Sequence, residues 1–379
     1  MPDPIVFTKT FDDVRDLVSA DDKGKWDSVA RVQEVSLVSG RLHFPQAGSN
    51  DFEGGLAFSP WSLAQACQKL GIPTAYFKRC PPALQDAQFN HFAQHLHIGR
   101  ELSRADHQAE EAWTIRCKGA NVRGVLSARY AKLDNVQLLD ALLPVLAGTR
   151  YKVGLIQLSP ESFHLRLVEP TVGREVLPGD RLLVGVHVAN SEVGLRAVTV
   201  DAVVFRLVCT NGLIRRVNHK SLLKQRHIHV SEPRFQSLLE RAVGEAVTVA
   251  AGFIEQMVLA IKTLVPDPQA AIEVLGQAWG VPKATVEMVQ FNLHGEGQGQ
   301  SHTLYGLTNA ITLAAQRLSP DDRFHLETLA GTLVETGQAG QAERALRARI
   351  LSSKPAPIVP AEPANSERAT YGVFATAPS

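Results

Sequence analysis

The sequence contains only four cysteines among its 379 residues, and Cys67, Cys80, Cys117 and Cys209 lie far apart. No two of them have the C-x2-C spacing of a zinc site, and scattered thiols are typical of a reducing compartment. The N-terminus lacks the basic and apolar regions of a secretory signal, and no apolar window reaches the ~20 residues of a membrane helix. We therefore expect a cytoplasmic protein with no membrane segment, no metal site and no cofactor.

The sequence also lacks the motifs of common catalytic sites. It contains neither a G-x-S-x-G elbow nor an H-E-x-x-H zinc motif. Carboxylates such as Glu161, Glu169, Asp180 and Asp201 could meet around Mg²⁺, which leaves a metal-dependent nuclease open as an alternative. Because no catalytic constellation is visible, we expect a protein that binds rather than one that catalyses.

Acidic residues are scarce in the middle of the chain. Residues 114–234 contain 18 Lys/Arg and 9 Asp/Glu, a net charge of +9, whereas the remainder contains 21 and 29, a net charge of −8. A segregated positive segment suits a polyanion, and nucleic acid is the commonest polyanion in a cell. The alternative is a solvated face whose charges pair with the acidic flanks. The charge distribution alone leaves both interpretations open.

The densest basic run covers residues 215–229, with five Lys/Arg, three His and no acidic residue. It follows Asn211-Gly212, a turn signal. Arg and Lys side chains there could clamp successive phosphates, although a solvated loop or a site for an acidic partner protein is the alternative. The predicted contacts to a nucleic-acid backbone are Arg123, Arg129, Arg206, Arg215, Arg216, Lys220, Lys224 and Arg226.

Aromatic side chains, on which unpaired bases stack, make up only 6% of the residues. The candidates for stacking are Tyr130, Tyr151, Phe163 and Phe205, and we expect most of them in the hydrophobic core. This scarcity weakens a sequence-specific RNA-binding interpretation more than one based on contacts to the backbone.

The hydrophobic periodicity changes along the chain. Alternate residues are apolar over 181–190 and 195–209, which predicts half-buried antiparallel strands. Helical spacing predicts a helix over 135–146, another that begins at Ser59-Pro60, and a helical region from residue 233. We therefore expect an α+β fold, with a central antiparallel sheet and backing helices, a helical N-terminal unit and a helical C-terminal region. The second face of the sheet could be open to solvent or to a ligand.

Composition divides the chain into four parts. The last part is rich in Pro, Ala and Ser and has no periodicity, which is typical of disorder. The predicted parts are an N-terminal α+β unit (1–110), a basic β-rich core domain (111–232), a helical region (233–351) and a disordered tail (352–379).

Several segments, in this order, are similar to one family. They are FSPWSLAQACQKLGIPTAYFKRCPP from Phe58, RGVLSARYAKLDN from Arg123, VANSEVG from Val188, FRLVCTNG from Phe205 and TLYGLTNAIT from Thr303. Over roughly residues 50–335 the chain resembles the phage- and plasmid-associated proteins of domain-of-unknown-function family 932. The resemblance implies a role in DNA replication, recombination or host–element conflict, and it brings no catalytic residue with it.

A curved antiparallel sheet, a backing helix and a basic face are the parts used by single-strand annealing proteins of recombination. Such proteins hold the phosphate backbone with Lys and Arg, leave the bases free to pair, and work as rings or filaments. We therefore expect a homo-oligomeric protein that binds single-stranded DNA or another polyanion. A metal-dependent nuclease and a module that binds an acidic protein partner remain the alternatives.

Overall fold

The secondary structure is taken from a computed structural model, which describes residues 6–7, 9–45, 52, 54–95, 112–207, 211–215, 220–228, 232–295, 300–335, 370–372 and 374–375. The strands are β1 (Val6–Phe7), β2 (Lys25–Arg31), β3 (Ser36–Val38), β4 (Arg41–His43), β5 (Ala57–Phe58), β6 (Ala112–Lys118), β7 (Asn121–Ser127), β8 (Lys152–Leu158), β9 (Phe163–Leu177), β10 (Asp180–Asn190), β11 (Val198–Arg206), β12 (Asn211–Arg215), β13 (Leu223–Gln225), β14 (Thr370–Gly372) and β15 (Phe374–Ala375). The helices are α1 (Phe11–Asp22), α2 (Pro60–Leu70), α3 (Thr74–Phe77), α4 (Pro82–Gln94), α5 (Asn135–Leu146), α6 (Glu232–Lys262), α7 (Pro268–Trp279), α8 (Lys283–His294), α9 (Leu304–Ala315) and α10 (Pro320–Glu335).

A four-stranded sheet in the order β2-β6-β7-β5 organises the N-terminal part of the fold. Helix α2 packs against β7. The Ser59 side chain accepts a hydrogen bond from the Ser62 backbone N–H at 3.1 Å, Pro60 is the first helical residue, and Gly71 ends the helix with a left-handed φ of 74°. The helix that the sequence predicted from Ser59-Pro60 is confirmed.

The main sheet has the order β12-β11-β10-β9-β8-β14, and β13 also pairs with β11. Its long neighbouring strands are antiparallel. Alternate residues such as Val184, Val186 and Val188 are buried in one large core with α5 and α6. The predicted α+β fold, with a central antiparallel sheet and backing helices, is confirmed.

Helix α6 is the longest backing helix. It is long and apolar enough to cross a membrane by length and composition alone, a test that core helices also pass. Its Phe235, Leu239, Ala246 and Phe253 are buried in the core that it shares with the main sheet. Burial of this face explains part of the apolar composition of the helix, because removing apolar surface from water stabilises the fold, but only 33% of its most apolar stretch is buried.

The second face of the main sheet is covered by α10, so it is not the open surface that the sequence allowed for. The Phe324 ring of α10 lies 4.7 Å from the His187 ring of β10. Glu327 is fully buried, pairs with Arg166 of β9, and accepts a hydrogen bond from Arg323 Nε at 2.9 Å. The sequence did not predict this contact because α10 buries charged residues, whereas a helix face that packs on a sheet is usually recognised by its apolar residues.

Two of the predicted boundaries, at residues 110 and 352, separate strands that pair with each other in the structure. β6 and β7 follow the predicted boundary at residue 110, yet β6 pairs with β2, which precedes it. Within the predicted tail, β14 pairs with β8 and β15 pairs with β1. The rest of residues 352–379, and residues 336–351 of the predicted helical region, lie outside the described residues. The four-part division and the disorder of the tail stay predictions.

Candidate nucleic-acid interface

A cleft opens between the N-terminal sheet and the main sheet. Its volume is about 550 Å³, and its walls come from α2, the end of β7, the loop between β10 and β11, and the residues that follow β13. None of the thirteen described residues that line it is Asp or Glu. A cleft without carboxylates that also contains cations is suited to an anionic ligand.

Three cationic side chains line the cleft: Lys69 in the last turn of α2, Arg196 in the β10–β11 loop, and Arg226 after β13. The guanidinium of Arg196 pairs with Asp321 and lies 4.6 Å from the centre of the Phe324 ring, so it is held in place. Arg226 is exposed, and no carboxylate of the described residues pairs with it. Arg226 can therefore turn toward a bound anion.

Tyr130 and His227 form a stacked pair in the cleft wall. Their ring centres are 5.0 Å apart with an interplanar angle of 10°, and the Tyr130 hydroxyl donates to the Glu192 carbonyl at 2.9 Å. Burial, assisted by the charge of Arg116, lowers the pKa of His227 to about 4. The imidazole is thus neutral near pH 7, with one ring nitrogen as donor and one as acceptor. Neither nitrogen makes a hydrogen bond of normal geometry among the described residues, although the Ala131 backbone acts as a weak partner that raises the pKa of His227 slightly against burial.

A buried ionic network behind Tyr130 fixes this wall of the cleft. Arg116 is 1% exposed and donates from Nη1 and Nη2 to Asp134 at 2.6 and 2.7 Å, from Nε to Asp27 at 2.8 Å, and from Nη1 to the Glu192 carbonyl at 2.7 Å. Burial opposes its charge, but the hydrogen bonds and charges of Asp134 and Asp27 outweigh burial and raise the pKa of Arg116. The network ties β6, the start of α5 and the β10–β11 loop together.

Glu192 is the second centre of this network. Its carboxylate accepts from Lys25 Nζ at 2.8 Å, from the Asn135 backbone N–H at 3.0 Å, and from Arg123. Burial alone would raise its pKa, but the charges of Lys25 and Arg123 dominate and lower the pKa of Glu192 to about 2. Glu192 is therefore ionised throughout the physiological range.

The oxygens of Asp22, Asp134 and Glu192 lie within 4.8 Å of one another, a spacing that a metal ion could bridge. Cations of the chain already occupy this position. Lys25 Nζ lies 2.8 Å from Glu192 and 3.9 Å from Asp22, and Arg116 binds Asp134. The arrangement therefore serves ion pairing within the protein and does not favour a metal centre.

The four carboxylates suggested as Mg²⁺ ligands, Glu161, Glu169, Asp180 and Asp201, do not form a cluster. They are absent from the single group of potential metal ligands within 4.8 Å that the described residues contain. Asp180 instead accepts from Arg206 Nε at 2.9 and 3.0 Å. This geometry gives the nuclease alternative no support from these residues.

The predicted backbone contacts occupy different environments. The Arg123 and Arg206 side chains are only 11% and 13% exposed. Arg123 pairs with Glu192, and Arg206 pairs with Asp180. Arg215 ends β12, while its side chain and all of Arg216 lie outside the described residues. A phosphate contact by any of the four stays a prediction, and Arg123 and Arg206 would first have to leave a carboxylate.

The other four predicted contacts are exposed. Arg129 lies in the turn after β7, next to the cleft residue Tyr130. Lys224 lies in β13, Lys220 precedes this strand, and Arg226 follows it. No carboxylate of the described residues pairs with any of these last three, and Arg226 also lines the cleft. They are the predicted residues that a polyanion can reach without breaking an ion pair.

Carboxylates outside residues 114–234 compensate part of the positive charge of that segment. Lys118 Nζ lies 2.8 Å from Asp21, and Arg174 Nη1 lies 2.8 Å from Glu255. The other pairs of this kind among the described residues are Arg116–Asp27, Lys132–Asp27, Arg166–Glu327 and Arg196–Asp321. Ion pairs with the acidic flanks thus neutralise part of the charge of the basic segment. No such pair among the described residues involves Lys220, Lys224 or Arg226.

Sequence reasoning missed Gln68, Lys69, Arg196 and Ile228 as residues of a common site. Gln68 and Lys69 belong to a helix that the sequence did predict, but no local pattern places them beside residues more than a hundred positions later. The packing of α2 onto β7, and of the β10–β11 loop beside both, brings them together. Only the tertiary structure carries this signal.

Fold and site together define an α+β protein with a cleft whose described lining carries cations and no carboxylate. The chain belongs to the family described as "Domain of unknown function (DUF932)", which it matches over residues 122–348, more than half of its length. This match confirms the family that the sequence resembles, although it leaves the similar segment from Phe58 outside. It covers β8 to β13 of the main sheet, the backing helices and much of the cleft. No curated protein and no solved structure matches the chain.

Proposed function

We propose that the protein binds single-stranded DNA through the cations around β13 and the adjoining cleft, and that it acts without a catalytic step. The observation that carries the proposal is the set of three exposed cations, Lys220, Lys224 and Arg226, which no described carboxylate neutralises. Arg226 also lines the cleft, and the described lining of the cleft contains no acidic residue. Such an arrangement concentrates positive potential where a phosphate backbone can lie.

A role in DNA recombination or replication, in a phage or plasmid context, is the biological setting that we propose. An annealing protein needs to neutralise the backbone and leave bases free to pair, and it does not need to cleave a bond. The sheet backed by α6, with cations beyond its β13 edge, contains parts suited to this task. Action as a homo-oligomer and a cytoplasmic location belong to the same proposal.

The test replaces the three cations together, as Lys220→Ala, Lys224→Ala and Arg226→Ala. Each phosphate contact on a single strand contributes about 0.7 to the slope of log affinity against log salt concentration. Losing three contacts should lower the magnitude of that slope by about 2. A fourfold increase in salt should then weaken binding about 20-fold less in the variant than in the unmodified protein.

A control variant removes the same number of charges elsewhere. Arg241, Lys262 and Lys283 are exposed on α6 and α8, and their replacement by alanine should leave the slope unchanged. Equal slopes in the β13 variant and the unmodified protein would remove this surface from the binding site. Binding of an acidic protein with no affinity for DNA at low salt would support the interaction-module alternative instead.

A further inference from the structure

The size of the cleft limits what part of a nucleic acid can enter it. Its volume of about 550 Å³ lies within the range of ~300–1,000 Å³ found for pockets that enclose a small molecule. A nucleotide is a ligand of that class. A base in a duplex is stacked and paired, so it has to leave the helix before a pocket can enclose it.

The lining combines the surfaces that a nucleotide presents. Lys69 and Arg226 supply positive charge for a phosphate, whereas the exposed Ile228 supplies most of the apolar surface for a base, because Leu126 is only 7% exposed. Ile228 is 45% exposed and lines the cleft, so its apolar surface is available to a ligand there. Apolar walls with a few charged groups are typical of small-ligand sites.

His227 gives a second, independent indication of a ligand. Its side chain is 6% exposed, and both ring nitrogens are buried without a hydrogen bond of normal geometry among the described residues, the Ala131 backbone being only a weak partner. Buried polar groups in proteins are nearly always hydrogen-bonded, because an unmet donor or acceptor is costly. A donor and an acceptor on one ring can bond to the edge of a base.

We infer that the cleft holds one or two unpaired nucleotides of a bound single strand, with the base against Ile228 and His227 and the phosphate toward Lys69 and Arg226. This inference rests on the proposed function and adds to it a physical basis for choosing single over double strands. The bases on either side of the held nucleotide stay outside the cleft and remain free to pair.

The experiment compares an oligothymidylate with an abasic strand of the same length, which carries the same phosphates but no bases. If only the backbone is held, the two strands bind equally. If the cleft encloses a base, the oligothymidylate should bind about tenfold more tightly for each base held. Affinities are measured by fluorescence anisotropy at one salt concentration.

A variant that removes the apolar wall of the cleft tests its location without changing charge. Ile228→Ser takes away the exposed apolar side chain, so it should abolish most of the preference for the strand with bases and leave the affinity for the abasic strand unchanged. The matched control is Val29→Ser, an exposed apolar residue of β2 that does not line the cleft, which should keep the preference.

The outcomes separate this inference from the proposed function. Equal affinities for the two strands in the unmodified protein, or an unchanged preference in Ile228→Ser, would overturn the inference while backbone binding stands. Absence of binding to either strand at low salt would overturn both. Loss of the preference in Ile228→Ser, with the preference kept in Val29→Ser, supports a base in the cleft.

Discussion

Because two histidines are buried, we predict that the free energy of unfolding falls on acidification already at pH values well above those at which the carboxylates become protonated. Burial lowers the pKa of His164 to about 4 against the opposing hydrogen bond to Asp321, and burial with the charge of Arg116 lowers the pKa of His227 to about 4. An unfolded histidine has a pKa of about 6.5. Between these values the unfolded chain binds more protons than the folded one, so stability falls as the pH falls from about 6.5 to about 4.

The magnitude follows from proton linkage. Between pH 7.5 and pH 5, a histidine whose pKa changes from about 6.5 when unfolded to about 4 when folded costs about 2 kcal/mol. His164 and His227 together should lower the free energy of unfolding by about 4 kcal/mol. This is a large share of the ~5–15 kcal/mol by which domains are usually stable. Glu192 and Asp321, whose pKa values are lowered to about 2, contribute mainly below this range.

Urea unfolding at pH 7.5 and pH 5, followed by circular dichroism, measures this difference. His227→Gln removes one titrating ring and should reduce the pH dependence by about half, whatever its effect on stability at pH 7.5. A free energy of unfolding that stays constant from pH 7.5 to pH 5 would refute the assignment of both imidazoles as buried and neutral.

Two substitutions test the packing around the site. Asp134→Ala leaves the buried Arg116 with fewer partners and should cost about 3 kcal/mol in urea unfolding, whereas Asp12→Ala, in an exposed ion pair, should cost less than about 1 kcal/mol; equal costs would contradict the network. Gly185→Ala would place a Cβ 2.1 Å from the Leu167 carbonyl oxygen, so we expect a loss of about 2–4 kcal/mol, and a thermal midpoint equal to that of the unmodified protein would contradict this close approach.

Much of the fold could be predicted because the patterns that specify it are local. The helix over 135–146 has an Asp134 capping box at its start and leucines at helical spacing, and the strands of the main sheet alternate between apolar and polar residues. Helix α1 and strand β2 were missed. β2 pairs with β6, which lies some eighty residues later, and no pattern within β2 reveals that pairing.

The site was less accessible to prediction than the fold. The basic run around β13 was visible as a charge pattern, and its Arg226 does line the cleft. The charge count could not distinguish it from Arg116 or Arg166, which the fold buries against distant carboxylates. A sequence reports how many charges a segment has, whereas their availability depends on which partners the tertiary structure brings within reach.

The central claim is that the protein binds single-stranded DNA without cleaving it. It is tested most directly by measuring the affinity of the purified protein for a fluorescent single-stranded oligonucleotide across a salt series, with and without Mg²⁺. The proposal predicts micromolar or tighter binding at low salt that weakens steeply as salt increases, and an intact oligonucleotide in both conditions. No binding at low salt would contradict the claim, and cleavage that depends on Mg²⁺ would replace it with the nuclease alternative.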